Sequence, residues 1–123
     1  MTGGYVDGYV LCIPKKNRAA YTKMAKEAGP YWMKHGALAY FECLGDDLKS
    51  MGGTMSFKQL AKPKPTEEVW FSFIIYKNKK HRDQVNAKVM KDTQEMYTEE
   101  DAKKMPFDMK RMAYGGFKAM VQY

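Results

Sequence analysis

The residues Val69-Trp70-Phe71-Ser72-Phe73-Ile74-Ile75-Tyr76 form the longest nearly unbroken apolar stretch of the chain. The stretch is rich in β-branched and aromatic side chains, which pack well on a pleated sheet. Successive side chains of a strand point to opposite faces, and both faces of this stretch are apolar apart from Ser72. A short run of this kind favours a central strand that is covered on both sides.

The whole chain has the composition of an ordinary globular protein. It has 123 residues, of which 45% are hydrophobic and 28% are charged, and this length fits a single domain spanning 1–123. No apolar stretch reaches the roughly 20 residues of a membrane-spanning helix, and the first residues lack the features of a signal peptide. Cys12 and Cys43 are too few for a disulfide framework and lack zinc-ligand spacing. We therefore expect a cytoplasmic protein with free thiols and with no bound metal or cofactor.

Three further stretches are predicted to form strands. They are residues 5–13, residues 37–44 and residues 111–123, each of which contains several β-branched or aromatic side chains. The adjacent Gly115 and Gly116 weaken the last of these strands. Glycines in a strand are typical of a β-bulge or of a place where another chain segment approaches the backbone closely.

Two helices are predicted between these strands, over residues 17–35 and 79–92. Asn17 and Asn78 are suited to cap them, because an asparagine side chain accepts a hydrogen bond from a free backbone N–H at a helix start. Pro30 lacks a backbone N–H and is expected to kink the first helix or to restart it. The apolar stripe of the first helix consists of Tyr21, Met24, Ala25, Ala28, Trp32 and His35.

The remaining segments are predicted to be mostly irregular. The largest is an insertion near residues 45–66, in which residues 54–60 are expected to form a short edge strand or a hairpin arm. Thr98 and Asp101 resemble a capping box, which predicts a short helix near 99–104.

The order of these elements is β-α-β-insertion-β-α-β, which predicts an α+β fold of the ferredoxin-like kind. Right-handed crossovers would place strands 5–13 and 69–76 in the centre of an antiparallel sheet, with strand 37–44 on the far side of 69–76. Both helices would then pack on one face of the sheet. The other face would be a large apolar surface, and a second copy of the chain related by a twofold axis could cover it. We therefore expect a homodimer.

Several motifs carry a resemblance to a known family. They are Val6-Asp7-Gly8-Tyr9-Val10, Gly36-Ala37-Leu38 with Glu42-Cys43, Phe71-Ser72-Phe73-Ile74, Arg82-Asp83 with Asn86, and the run from Met105-Pro106-Phe107-Asp108 through Met109-Lys110-Arg111-Met112-Ala113 to Tyr114-Gly115-Gly116-Phe117. Together they resemble the YbaA-like family of small bacterial proteins, a domain family of unknown function, and the resemblance extends from Tyr5 to Val121.

The resemblance implies membership of the dimeric α/β-barrel superfamily. This superfamily includes cofactor-free monooxygenases, haem-degrading enzymes, muconolactone-isomerase-like enzymes and ligand-binding or regulatory dimers. A shared fold does not establish a shared function, so the resemblance leaves open whether this chain is an enzyme.

The polar residues at inward positions of the second helix are the first candidates for a site. Arg82 and Asn86 project into the middle of an otherwise apolar arc. A buried guanidinium needs a partner, and Asp108, Glu42 and Asp7 are the available carboxylates. Arg82 is therefore interpreted either as half of a structural ion pair or as a clamp for a ligand carboxylate or phosphate.

Five other side chains have both a structural and a functional interpretation. Glu42 is a candidate acid or base if it lies among apolar groups, or a solvated residue if its face is open. His35 is either a packed or capping residue of the first helix or a base. Asp108 precedes Lys110 and Arg111, which alternation would send to opposite faces of the last strand, so that one of them could line a cavity. The structural alternative is a solvent-facing Lys110 and a structural Arg111.

Hydroxyl groups could add to a polar site. If the face of strand 69–76 that carries Ser72 meets the second copy of the chain, Ser72 lines a cavity between the two sheets. If that face packs against the helices, Ser72 is structural. Hydroxyls could also come from Tyr9, Tyr40, Tyr76 and Tyr114.

The function predicted from the sequence is binding or conversion of a small molecule in a cavity between the two sheets of the dimer. Two alternatives remain. A formal net charge of +7 permits a nucleic-acid-binding dimer, with its densest basic cluster at residues 77–82, and a scaffold or interaction module without a ligand is also compatible. The candidate polar residues of the cavity are Arg82, Asn86, Asp108, Arg111, Glu42 and His35.

Overall fold

A computed structural model of the chain describes residues 3–94 and 104–123 as an α+β fold with one antiparallel sheet. The strands lie in the order β2-β3-β1-β4, so the predicted central placement of β1 and β3 is confirmed. The elements in chain order are β1 (Tyr5–Pro14), α1 (Arg18–Lys34), β2 (Ala39–Leu44), α2 (Phe57–Ala61), β3 (Glu67–Tyr76), α3 (Lys79–Thr93) and β4 (Ala113–Lys118).

One face of the sheet carries α1 and α3. Trp70, Ser72, Ile74 and Tyr76 of β3 are all buried on this face, which answers the question that the alternation of β3 left open. Two apolar clusters join the sheet to the helices and form the core. The first contains Leu11, Ile13, Tyr21, Ala25 and Trp70, and the second contains Ala37, Ile74, Tyr76, Val85 and Val89.

The opposite face of the sheet is apolar and largely open. Phe41 and Phe73 stack on it with ring centroids 4.7 Å apart, and the side chains of Phe71 and Phe117 are 42% and 63% exposed. The short helix α2 covers only one end of this face, where the Phe57 ring meets Phe71 edge-on. We call this surface the open face.

Helix α1 lacks the side-chain cap that was predicted for its start. The Asn17 side chain caps no N–H; it donates instead to the carbonyl oxygen of Pro106 at 2.9 Å and so joins the start of α1 to the loop before β4. The helix also continues through Pro30 without restarting. It ends at Gly36, whose positive φ of 104° suits glycine. Backbone hydrogen bonds from Gly36 to Met33 and from Ala37 to Trp32 close the end as a Schellman motif.

The other helix starts are decided by local capping. Asn78 caps α3 as predicted, because its side chain accepts a hydrogen bond from the backbone N–H of His81. The prediction of a strand or hairpin arm over 54–60 is wrong, since residues 57–61 form α2. Ser56 and Gln59 make a reciprocal capping box at its start, and this satisfies two N–H groups that an isolated edge strand would leave unpaired.

The last strand is shorter than predicted, because residues 109–111 form a single 3-10 turn and β4 ends at Lys118. Its pairing with β1 is unbroken across Gly115 and Gly116, so there is no bulge. Close approach is the reason for Gly116: a Cβ atom there would lie 2.5 Å from the hydroxyl oxygen of Tyr5. The helix predicted near 99–104 falls, apart from Lys104, outside the described residues.

Two other predictions about the chain are confirmed within the described ranges. Cys12 and Cys43 are both free and lie on the non-adjacent strands β1 and β2. None of the described helices combines the length and the apolar character that crossing a membrane requires.

The two glycines of β4 provide a matched test of this packing. We expect Gly116→Ala to lower the free energy of unfolding by about 1–3 kcal/mol, because the new methyl group overpacks against the Tyr5 ring. Gly115→Ala should cost less, since its Cβ would meet only the Phe117 ring at 3.4 Å, and that ring is exposed and free to move. Urea unfolding of both variants measures the difference; equal losses would contradict the role assigned to Tyr5.

Candidate functional site

A buried ion pair joins β1 to α3. The Asp7 carboxylate is fully buried, and the Arg82 Nη1 atom donates to its Oδ1 atom at 2.7 Å. The Arg82 Nε atom donates to the exposed carboxylate of Asp83, also at 2.7 Å. Of the three carboxylates considered for Arg82, the partner is therefore Asp7. The described contacts support the structural interpretation of Arg82 over that of an anion clamp.

Asn86 extends this ion pair into a network. Its Nδ2 atom donates to Asp7 at 3.4 Å, and its Oδ1 atom accepts hydrogen bonds from Trp32 Nε1 and from the Tyr76 hydroxyl, each at 3.1 Å. Burial, with a contribution from the Asp7 charge, raises the pKa of Tyr76 far above its usual value, so this phenol remains a donor at neutral pH. Asn86 thus connects the sheet to both α1 and α3.

A second polar cluster surrounds Glu42 on the same side of the sheet. Its Oε2 atom accepts hydrogen bonds from the Tyr21 hydroxyl at 2.7 Å and from Ser72 Oγ, and its Oε1 atom accepts one from the Tyr40 hydroxyl at 3.1 Å. Ser72 lies directly opposite Glu42 in the register of β2 and β3. Glu42 therefore lies on the helix side of the sheet, where it is half-buried, and its contacts support the interpretation of a carboxylate among packed side chains.

The tyrosines around Glu42 are neutral donors. Burial is the main cause that raises the pKa of both Tyr21 and Tyr40, and the adjacent negative charge of Glu42 raises both further. A protonated phenol donates its O–H to the carboxylate. The cluster is therefore a carboxylate held by hydroxyl groups, with no cation among its hydrogen-bond partners in the described part of the chain.

A cavity of about 170 Å³ lies beside this cluster, between the sheet and α1. Most of its wall is apolar, and Glu42 is the charged residue in it. Tyr9 also lines this cavity, and its hydroxyl meets no hydrogen-bond partner among the described residues. The described residues that line the cavity are Tyr9, Leu11, Tyr21, Met24, Ala25, Ala28, Trp32, Tyr40, Phe41, Glu42, Ser72, Ile74 and Met112. We call it the Glu42 cavity.

An open groove of about 960 Å³ runs along the outside of this region, between α1 and the edge strand β2. Glu42 and Tyr40 line both the groove and the Glu42 cavity. The Tyr40 ring lies so close to α1 that a Cβ atom on Gly29 would be 3.2 Å from it. Trp70 also lines the groove, and its buried indole N–H has no acceptor within the described ranges.

His35 lies away from the Glu42 cavity, at the C-terminal end of α1. Its Nε2 atom is 2.5 Å from the Asp92 carboxylate, which connects α1 to the last turn of α3. This hydrogen bond, together with the charge of Lys34, lowers the pKa of Asp92. The contacts of His35 support its interpretation as a packed or capping residue.

Asp108 and Arg111 also do not line the cavity. Asp108 caps the 3-10 turn at 109–111 by accepting a hydrogen bond from the Lys110 N–H at 3.0 Å. Arg111 donates to the Glu67 carboxylate at 2.7 Å and to the Lys62 carbonyl oxygen at 3.0 Å, and the first of these bonds lowers the pKa of Glu67. The prediction that Lys110 and Arg111 alternate along a strand is wrong, because both lie in the turn.

The described structure thus divides the six predicted site residues. Arg82 and Asn86 share the Asp7 network, Glu42 lines the cavity, and the remaining three make separate structural contacts. The sequence pattern placed Tyr21 only in the apolar stripe of α1. A buried tyrosine hydroxyl usually needs a hydrogen-bond partner, so the tyrosine itself was a signal that a polar group lies nearby. No cluster of three or more His, Cys, Asp or Glu side chains suited to a metal ion occurs in the described ranges.

Comparison with known proteins places these features in a family. The family described as "Protein of unknown function (DUF1428)" matches residues 4–109. The chain is 40% identical over 117 residues to "Uncharacterized protein YbaA" of Escherichia coli (strain K12), with 95% of this chain and 97% of the relative covered. The protein of the same name from Shigella flexneri matches equally well.

Among solved structures, the chain is similar to "De novo designed protein Foldit4", with a TM-score of 0.42 and 6% sequence identity over 97% of this chain and 99% of the other. A likeness this weak carries no argument about fold or function. The family match and the relatives at 40% identity agree with each other and cover most of the chain. The chain belongs to the family of YbaA-like proteins of unknown function, DUF1428.

Proposed function

We propose that the protein binds a small molecule in the Glu42 cavity. The observation that carries this proposal is a carboxylate in the wall of a largely apolar space, held in place by three hydroxyl groups from three different elements. A concave, mostly apolar site with a few oriented polar groups is typical of small-molecule pockets. The groove along β2 and α1 provides a route to the same carboxylate.

This proposal puts the ligand between the sheet and α1 rather than between two sheets. Glu42, the one expected site residue that lines a cavity, points to the helix side. The middle of the open face, by contrast, is built from apolar side chains. Its residues are instead suited to contact with another apolar surface, and they include Val6, Val10, Phe41, Phe71, Phe73, Ile75 and Phe117.

We further propose that the sheet is ferredoxin-like and that two copies pair through their open faces as a dimeric α/β barrel in the cytoplasm. The order β2-β3-β1-β4, with two helices on one face, supports this arrangement. A self-complementary apolar face suits a twofold dimer. The free thiols agree with a reducing compartment.

The alternative of nucleic-acid binding has less support from the described contacts. In the basic cluster at 77–82, Arg82 is held by Asp7 and Asp83, and His81 Nδ1 accepts a hydrogen bond from the Lys77 N–H. These two side chains are therefore engaged within the protein. Three lysines alone make a weak site for a polyanion.

A cavity-filling variant tests the proposed site. Ala28 lines the Glu42 cavity from α1, so Ala28→Leu should fill part of it and abolish binding of those fragments that wild-type protein binds in a ligand-observed NMR screen. Ala20→Leu is the matched control, because Ala20 lies on the same helix and is exposed. The proposal fails if no fragment binds the wild-type protein, or if Ala28→Leu binds the fragments as well as Ala20→Leu does.

A further inference from the structure

We propose, building on the proposed function, that the ligand of the Glu42 cavity is a neutral, ring-sized molecule with a hydroxyl group, such as a phenol or an enol. The hydroxyl group would donate to Glu42 and accept from Tyr9. Size, hydrogen-bonding capacity and charge each support this class of ligand.

The size of the cavity limits the ligand to about one ring. An apolar protein cavity of roughly 150 Å³ holds a benzene molecule, and the Glu42 cavity measures about 170 Å³. Apolar side chains, including Leu11, Ile74 and Met24, make up much of its wall. The bulk of the ligand should therefore be an uncharged ring.

The hydrogen-bonding capacity of Glu42 is incompletely used. An ionised carboxylate has about four lone-pair positions, and described side chains occupy three of them, two on Oε2 and one on Oε1. The Oε1 atom can therefore accept one more hydrogen bond. A ligand O–H group would provide it, and bonds to charged groups are the stronger kind.

Tyr9 supplies the complementary donor. Tyr9 lines the same cavity as Glu42, and its hydroxyl has no hydrogen-bond partner within the described ranges. Burial, followed by the negative charge of Asp7 and to a smaller extent that of Glu42, raises the pKa of Tyr9, so the phenol stays protonated at neutral pH. A ligand hydroxyl can accept from Tyr9 while it donates to Glu42, whereas an ammonium group has no lone pair with which to accept.

Charge excludes an anionic ligand from this cavity. The described residues of its wall include no lysine, arginine or histidine. Arg82, which was considered as an anion clamp, is instead held by Asp7. A ligand carboxylate would therefore meet the negative charge of Glu42 without compensation, at a large cost in a desolvated site.

Four ring-matched probes test the inference by ¹⁹F NMR titration of the full chain. They are 4-fluorophenol, 4-fluorotoluene, 4-fluorobenzylamine and 4-fluorobenzoate, which share a fluorinated ring and differ only in the group opposite the fluorine. We expect 4-fluorophenol to bind at least about tenfold more tightly than 4-fluorotoluene, because a hydrogen bond to a charged group is worth roughly 1.5–3 kcal/mol. The benzoate should bind most weakly.

Variants identify the groups that recognise the hydroxyl. Glu42→Gln removes the charged acceptor and should reduce the preference for 4-fluorophenol over 4-fluorotoluene to less than about threefold. Tyr9→Phe removes a neutral hydrogen bond, worth about 0.5–1.5 kcal/mol, and should reduce the preference by at least about twofold. Tyr9→Phe removes a single unpartnered oxygen and should leave the fold intact, so the test does not depend on the stability of Glu42→Gln. Glu27→Gln, at an exposed position of α1, is the control and should keep the wild-type preference.

The outcomes separate this inference from the proposed function. Equal binding of phenol and toluene, tighter binding of the benzylamine, or an unchanged preference in Tyr9→Phe would overturn the inference while leaving a small-molecule site in place. The inference would also be overturned if none of the four probes binds while other fragments bind and are lost in Ala28→Leu. Absence of binding by every fragment overturns both proposals.

Discussion

Replacing Phe73 by aspartate is expected to convert the proposed dimer of this protein into a folded monomer. Phe73 lies in the middle of the open face, stacked on Phe41 and opposite Gly8 in the register of β1 and β3. In a twofold dimer each copy would bury one new carboxylate, and an uncompensated buried charge costs about 3–5 kcal/mol. Two such charges would raise the dimer dissociation constant by roughly 10,000-fold or more, since each 1.4 kcal/mol is a factor of ten.

Sedimentation velocity and far-UV circular dichroism together measure this outcome. In the monomer the Phe73 position lies at a surface, so the helical signal should persist while the sedimentation coefficient falls. Met90→Asp is the matched control, because Met90 is exposed on α3, on the other side of the sheet, and should leave association unchanged. An intact Phe73→Asp dimer would refute pairing through the open face, and so would a wild-type chain that is monomeric.

The second large effect is expected for Arg82→Met. Methionine preserves most of the apolar stem of Arg82 but leaves the fully buried Asp7 carboxylate without its cation. Breaking a buried ion pair from one side costs about 3–5 kcal/mol, because the remaining charge stays buried and unpaired. The midpoint of urea unfolding should therefore fall sharply, with an unchanged denaturant slope if the folded state is retained.

Two controls identify the cause of that loss. The double variant Asp7→Asn/Arg82→Met removes both charges and should recover part of the stability, which a simple loss of packing would not allow. Asp83→Asn removes the charge of the second partner of Arg82. Because the Asp83 side chain is 59% accessible, this change should lower the free energy of unfolding by no more than about 1 kcal/mol. A loss below 1 kcal/mol for Arg82→Met would contradict the structural role of the pair.

Local signals in the sequence predict most of the secondary structure. The capping asparagine at Asn78 and the apolar strand at 69–76 are confirmed, because the relevant interactions lie within a few residues. The two failures have different origins. The Ser56–Gln59 capping box starts a helix within a segment whose composition resembles a strand, whereas the Asn17 side chain turns to a distant carbonyl at Pro106.

The candidate site was less predictable, because its contacts join residues far apart in the chain. Three carboxylates were possible partners for Arg82, and only the packing of α3 on β1 selects Asp7, 75 positions away. Tyr21 and Glu42 come together through the packing of α1 on the edge of the sheet. Neither pairing leaves a local periodic signal, so spacing could not identify it.

The stretch at 69–76 illustrates this division. Its nearly continuous run of β-branched and aromatic side chains was enough to predict a central strand, because strand preference is a property of the stretch itself. The stretch itself does not determine which of its two faces packs against the helices, because that choice depends on residues elsewhere in the chain. The tertiary structure decides it by setting Ser72 opposite Glu42 on the helix side, where the hydroxyl gains a charged acceptor. The all-apolar face that carries Phe71 and Phe73 remains open.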